Sequence, residues 1–374
     1  MRRMTLWRAL LAGLVMALVL AGCGGDVAEE GGTPDEADDG GSENGGDGEA
    51  AGSITGAGAT FPAPLYNEMF STFAEEEQGI QVNYQSVGSG SGIEQYINNT
   101  VEFGGTDAPM TDEELEEVDV ETLHVATVGG PVVPTYNLEG VDELNLTHEV
   151  VADIFLGNIT EWSDEAIAET NPDADLPDEQ IQVVHRSDGS GTTFIWVEWL
   201  SAVSEEWADS VGSGTDVSWP TGSGGDGNEG VAAQVQQTPG AIGYNELSYA
   251  EENDIPHAFL APDADSEFVQ GSLESAETAI EAAEVPEDLR VSVSALNVTD
   301  DGAYPVTGLT WLLIRQEMDD LAACRATAEA AWYATHDGQE FAPPNYVPIG
   351  GQTLETSEEF IQSMEAEGEA CYEG

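Results

Sequence analysis

Runs of alternating or β-branched residues recur along the chain and are bounded by Gly, Pro, Asn or Asp. Gln81–Gln85, Leu123–Val128, Val132–Tyr136, Ile181–His185 and Val291–Ser294 are predicted as strands on that pattern. Between them, apolar residues at helical spacing predict helices over Leu65–Glu76, Thr193–Val203, Gly230–Gln237 and Met318–His336. Strands alternating with helices indicate an α/β protein. The run Gly212–Gly230 is rich in glycine and predicts a long loop, whereas residues 263–290 are acidic and weakly patterned and yield no element. No internal repeat stands out.

The N-terminal pattern is of another kind. Residues 1–22 carry three arginines and no acid, with an unbroken small or apolar run from Ala9 to Gly22 and Cys23 directly after it. A basic start, a short apolar stretch and small residues before a cut describe a secretory signal, too short for a lasting transmembrane helix. Leu20-Ala21-Gly22-Cys23 resembles a lipobox, so Cys23 is expected to carry a lipid that anchors the protein outside the cell membrane. Arg2-Arg3 leaves the export route open between the general secretory and twin-arginine systems. Residues 23–52 are then a disordered, acidic, Gly-rich tether. No second run of spanning length follows.

Charge narrows the functions further. The 374 residues carry 73 Asp+Glu against seven bases, all arginine, for a net charge of −66. A chain without lysine has no phosphate-loop lysine and no Schiff-base amine. Clustered bases for nucleic acid are also absent. Residues 1–22 hold three of the arginines, so the mature chain keeps only Arg186, Arg290, Arg315 and Arg325. Such an acidic surface is expected of a halophile, because molar salt shortens the screening length to about 3 Å. With Cys23 lipidated, Cys324 and Cys371 remain, and an exported pair is expected to form a disulfide. Neither these cysteines nor the five histidines show metal spacing, and no cofactor is expected.

Three glycine-rich turns each lead into a helix: Gly56–Pro64, Ser86–Gln95 and His185–Phe194. Helix N-termini offer unpaired N–H groups and a positive dipole end, and glycine lets an anion approach the backbone. Any one turn alone reads as a plain capped helix. Three together, one with Arg186, point to an oxyanion site, with Asp188 placed to hold the guanidinium. Arg290, Arg315 and Arg325 read instead as surface arginines paired with acids. Asp107, in Gly105-Thr-Asp-Ala-Pro109, can only accept a hydrogen bond when ionised, so beside an anion it favours one that keeps a proton. Phosphate does at neutral pH and sulfate does not.

These motifs resemble the substrate-binding proteins of phosphate-specific ABC transporters, the PstS family, over roughly Ser53 to Cys371. The resemblance rests on Gly56–Tyr66, Asn83–Gln85 with Gly88-Ser89, Phe103–Pro109, Ile154–Ile159 with Glu161-Trp162, Arg186–Thr192 and Pro239–Tyr244, all in the family's order. It implies a bilobal periplasmic-binding-protein type II fold, two α/β lobes joined by two hinge strands, with residues 53–126 and 301–374 as lobe I and 127–300 as lobe II. It also implies that Thr60, Phe61, Ser89, Asp107, Arg186, Ser190, Gly191 and Thr192 bind phosphate, Asp188 orienting Arg186. The repeated Gly-Ser leaves Ser89 and Ser91 as alternative donors. The implied role is capture of inorganic phosphate and delivery to a membrane permease, by a monomer without enzyme activity.

Three alternatives keep the same site. A phosphatase would use Ser190 or Ser89 as nucleophile, but neither lies in a Gly-x-Ser-x-Gly elbow and only His185 is near a candidate serine. A receptor for sulfate, molybdate or tungstate is disfavoured by Asp107, and arsenate is expected to be discriminated weakly. A sensor would present the lobe surface to a protein partner. The Asn-x-Thr sequons at Asn98, Asn145, Asn158 and Asn297 are open to glycosylation.

Overall fold

The structure, a computed structural model, describes residues 52–77, 79–291, 302–342, 344–372 and 374. The leader, Cys23 and the tether up to residue 51 fall outside the described residues, as do Asn297 and the 291–294 strand beyond Val291, whereas Gly52, expected in the tether, opens the first strand. No helix among the described residues is long and apolar enough to cross a membrane.

In chain order, β1 (Gly52–Gly58) passes through the first glycine turn into α1 (Ala63–Glu76), and β2 (Ile80–Ser86) through the second into α2 (Ser89–Ile97). β3 (Phe103–Thr106) ends at Asp107, and α3 (Asp112–Glu116) precedes the long β4 (Thr122–Tyr136). After β5 (Asn145–Thr147), α4 (His148–Leu156) and α5 (Glu165–Thr170), β6 (Gln182–Arg186) feeds the third turn and α6 (Gly191–Val203). There follow α7 (Glu205–Ser210), β7 (Ser223–Gly225), α8 (Gly227–Gln237), β8 (Ala241–Glu246), α9 (Leu247–Glu252), β9 (Phe259–Ala261) and α10 (Leu273–Glu281). The C-terminal part holds β10 (Thr307–Arg315), β11 (Glu317–Met318), α11 (Leu321–Thr335), β12 (Val347–Pro348), α12 (Gly351–Gln362), β13 (Glu365–Ala366) and β14 (Glu369–Ala370).

Among the described residues the main sheet has nine strands in the order β2-β1-β3-β10-β4-β8-β6-β7, with β12 also on β4. β1 runs parallel to β2 and β3, and β6 parallel to β7 and β8, whereas β10 is antiparallel to both β3 and β4. Parallel β-turn-α units put strand ends and helix starts on one edge, which is why the glycine turns collect in one place. β4 joins the two halves: residues 122–131 pair with β10 and 132–136 with β8. Two strands predicted here are thus one. Gly129-Gly130-Pro131 reads as a break in sequence, but Pro131 sits where the strand exchanges partners, a position that tolerates a missing N–H.

Other boundaries move for local reasons. α6 starts two residues before the predicted Thr193 because Ser190 caps it, its Oγ accepting from Thr193 N–H at 3.0 Å. α11 starts only after Asp320, whose carboxylate accepts from Ala323 N–H at 2.8 Å, since Met318 belongs to β11. The run 212–230 is only partly loop, since it contains β7 and the first turn of α8. Within the unpatterned 263–290 segment, α10 is started by a reciprocal Ser272–Ser275 cap. Leu289 and Val291 then pack with Ala126, Leu309 and Trp311, placing the segment against β10 and the first half of β4.

α6 buries Ile195, Trp196, Val197, Trp199 and Leu200, and Trp196 stacks on Tyr244 with ring centroids 5.3 Å apart. Each such side chain stabilises by about 1.5–3 kcal/mol. The helix is therefore a rigid post carrying the third turn at its N-terminus. Cys324 in α11 is disulfide-bonded to Cys371 across a separation of 47 residues. In the chain-entropy picture a loop of that length stabilises by about 4 kcal/mol.

Candidate functional site

The site grows from four helix starts. α1 begins after Thr60-Phe61-Pro62 and α2 at Ser89, on one face, while α6 begins at Gly191 and α8 at Gly227 on the other. Their first N–H groups have no intrahelical acceptors. Thr60, Phe61, Ser89, Asp107, Arg186, Ser190 and Thr192 are all buried. The structure therefore brings all the side chains expected at the site into one interior region. Ser89 is fully buried and its Oγ accepts from Asp107 N–H at 3.2 Å, whereas Ser91 is half-buried one turn position away. Of the two candidate hydroxyls, only that of Ser89 reaches Asp107.

The two faces touch. Gly90 N–H donates to Gly189 C=O at 2.9 Å. A Cβ on Gly191 would lie 2.5 Å from Ser89 Oγ and 2.6 Å from Asp107 Oδ2, so the α6 start can press onto these groups only as glycine. Gly88 has φ +86°, and a Cβ there would also meet Asp188 Oδ2 at 2.5 Å.

Arg186, at the end of β6, is clamped. Its Nε donates to Asp188 Oδ1 at 2.7 Å and its Nη2 to Asp188 Oδ2, while Gly227 N–H donates to Asp188 Oδ1 at 3.2 Å. Burial pushes the Asp188 carboxyl up, but the Arg186 pairing and the backbone donors outweigh it and hold it below the ordinary range. The Arg186 backbone N–H donates to Tyr244 Oη at 3.1 Å, and that hydroxyl contacts Thr193 Oγ1 at 2.7 Å. What remains is Nη1, buried and without a partner.

Asp107 presents the complementary atom. Thr310 Oγ1 donates to its Oδ1 at 2.8 Å, and Oδ2 is buried without a partner. Burial pushes this carboxyl up to about 7, only partly offset by Thr310, the Arg186 charge and Ser89. Among the described residues, Asp107 and Arg186 are the only two charged side chains with such orphaned atoms. A buried donor and a buried acceptor left open amid neutral hydroxyls and helix starts suit a small oxyanion that carries a proton.

Ser190 Oγ accepts the α6 cap bond with one lone pair and its N–H donates to Thr215 C=O at 2.8 Å, which leaves the hydroxyl proton free to donate. His185 does not engage it: Nδ1 contacts Arg186 C=O at 2.9 Å and the ring stacks on Trp219. Sequence reading missed Asn228, Thr310, Tyr249 and Tyr346. Tyr249 and Tyr346 hydroxyls donate to Thr60 C=O at 2.6 Å and Phe61 C=O at 2.9 Å, fixing the first turn. None has a local signal, since each bond joins residues far apart in sequence. No group of three or more His, Cys, Asp or Glu suited to a metal occurs among the described residues.

Comparison with known proteins identifies the family. A PBP superfamily domain matches residues 45–331. The phosphate-binding protein PstS of Pasteurella multocida (strain Pm70) is 42% identical over 317 residues, covering 84% of this chain and 89% of its own. The phosphate-binding protein PstS of Methanocaldococcus jannaschii is 36% identical, covering 79% and 82%. Among solved structures, the high-affinity periplasmic phosphate-binding protein PfluDING bound with phosphate superposes with a TM-score of 0.69 at 21% identity, over 82% of this chain and 93% of that one. At that identity the likeness shows the fold, which is the bilobal periplasmic-binding-protein fold. On the strength of its sequence relatives, the chain belongs to the PstS family of phosphate-binding proteins.

Proposed function

We propose that the protein captures inorganic phosphate between its lobes and delivers it to the membrane permease of an ABC importer. The observation that carries this reading is the pair of orphaned buried atoms, Asp107 Oδ2 and Arg186 Nη1, on opposite faces of the cleft. Phosphate answers both: one oxygen accepts from Nη1, and the protonated oxygen donates to Oδ2. Thr60, Ser89, Ser190 and Thr192 add hydroxyls, and the helix starts at Phe61 and Gly191 add N–H groups. Asp188 orients the guanidinium. Sulfate has no proton for Oδ2 and meets a repulsive carboxylate instead.

Lobe I is assigned 53–126 with 301–374, and lobe II 127–300, with two refinements. The partner exchange in β4 favours a first crossing at 131–132, and the packing of Leu289 and Val291 with Leu309 and Trp311 favours placing 272–291 with lobe I. Opening about β4 and the chain entering β10 breaks the Gly90–Gly189 bond and releases the ligand. The protein works as a monomer outside the cell membrane, held by lipidated Cys23.

Binding rather than turnover is favoured because His185 is held on Arg186 C=O and stacked on Trp219, away from Ser190. The relatives too are binding proteins. The test is titration calorimetry of the domain from Ser53, stripped of anion, in molar KCl. One phosphate per chain with no sulfate signal is expected. Silence toward phosphate from folded protein would sink the assignment, and hydrolysis of a chromogenic phosphate ester that Ser190→Ala abolished would replace it with the phosphatase reading.

A further inference from the structure

Asn228, in the first turn of α8, is fully buried and touches both faces of the cleft. Its Nδ2 donates to Thr60 Oγ1 at 2.9 Å and to Thr192 Oγ1 at 3.0 Å. Its backbone N–H also approaches Thr60 Oγ1 at 3.4 Å. The amide cannot be turned round, because Oδ1 accepts from Glu246 N–H at 3.2 Å. The backbone is held as well: Asn245 Nδ2 donates to Asn228 C=O at 2.8 Å, and Asn245 Oδ1 accepts from Thr135 Oγ1 at 2.9 Å.

A hydroxyl has one proton and two lone pairs. Nδ2 gives one proton to each threonine, so each Oγ1 acts as acceptor toward Asn228 and its own proton must point elsewhere. For Thr60 the backbone N–H takes the second lone pair too, leaving donation as its only remaining capacity. We infer that Asn228 is a positioning residue that sets the polarity of the cleft, turning the Thr60 hydroxyl into an obligate donor toward the bound anion and directing the Thr192 proton away from itself and toward that anion. It also makes the Thr60 hydroxyl competent only when the lobes are closed, since Thr60 lies on the α1 turn and Asn228 on α8. This inference rests on the phosphate-receptor reading and adds a residue outside the expected binding set.

The test is a double-mutant cycle read by phosphate titration and stopped-flow release in molar KCl. Asn228→Ala is expected to weaken phosphate binding about tenfold, nearly all of it as faster release. Asn228→Asp, the same shape without a donor, accepts the two hydroxyl protons and is expected to weaken binding at least a hundredfold. In a Thr60→Val, Thr192→Val background Asn228→Ala should change affinity less than twofold, because the hydroxyls it orients are gone. The same tenfold loss in both backgrounds would mean that Asn228 merely supports the fold, and would overturn the inference. A wild-type protein silent toward phosphate would instead overturn the receptor reading beneath it. If the Asn228 variants do not fold, the wild-type complex decides: both side-chain amide protons should resist solvent exchange in NMR once phosphate is bound, and free exchange would contradict the assignment.

Discussion

Two arginines in this molecule use the same local fork and end with opposite roles. Arg186 grips Asp188 two residues on, and Arg290 grips Asp288 two residues back, each with Nε on the carboxylate. Arg290 then spends Nη1 on Asp112 at 2.9 Å and Met110 C=O at 3.2 Å, at a partly exposed site. Arg186 is buried and keeps Nη1 unspent. A fork that spends its outer nitrogen on a second carboxylate is a staple; one held rigid with a buried donor in reserve is what the proposed phosphate site requires. Arg315 and Arg325 sit on the staple side. Arg315 is buried rather than a surface partner of an acid, donating to Tyr96 and Val101 carbonyls and lying 4.2 Å over the Tyr96 ring. Arg325 meets Glu369 at 3.4 Å.

The largest expected effect is at the open fork. Arg186→Gln leaves the partly buried Asp188 without its partner and removes the cation, a loss of about 3–5 kcal/mol, or roughly 10²–10⁴-fold in phosphate affinity by calorimetry. Survival of tight binding would remove Arg186 from the site. Next, Gly191→Ala puts a methyl group against Ser89 and Asp107. Overpacking of this kind costs about 1–3 kcal/mol, and it should appear as weaker phosphate binding with the unliganded melting temperature little changed, since the clash exists only between closed faces.

A third prediction concerns another buried acid. Burial pushes Glu246 up to about 8, despite hydrogen bonds from Ser248 and Tyr346. The folded protein therefore keeps this proton between about pH 4.5 and 8 where the unfolded chain has released it. Stability should rise as pH falls through that window, by up to about 1.4 kcal/mol per pH unit. Above it the full penalty is present. Asp107 contributes the same sign below about pH 7. Denaturation of Glu246→Gln across pH should show a shallower slope and greater stability than wild type at pH 9; an unchanged slope would refute the role given to Glu246. The smallest effect is at the staple: Arg290→Gln should leave phosphate binding untouched and cost about 0–1 kcal/mol, vanishing at molar salt.

What the sequence disclosed and what it hid follow the range of the interactions. The three glycine turns were legible because their chemistry is local: a strand, a glycine run and an apolar helix lie within ten or so residues. Asp107 and Arg186 could be named from those local motifs, and Thr60 and Ser89 from the family resemblance that the motifs carry. Asn228 could not, since its partner Thr60 is 168 positions away and its own surroundings read as loop. The single long β4 was hidden by Gly129-Gly130-Pro131, whose tolerance depends on which strand lies alongside. The 263–290 segment gave no periodicity because α10 is short and its anchoring residues, Leu289 and Val291, lie beyond it.

The central claim is that an open carboxylate oxygen and an open guanidinium nitrogen, buried on opposite faces, select an oxyanion that still carries a proton. It is tested most directly by titrating wild type and Asp107→Asn with phosphate and sulfate side by side at pH 8. Wild type should bind phosphate alone, and the variant, which can donate but no longer repels, should bind both with the preference reduced at least tenfold. A variant that kept the wild-type preference for phosphate over sulfate would show that the proton on the anion is not what Asp107 reads.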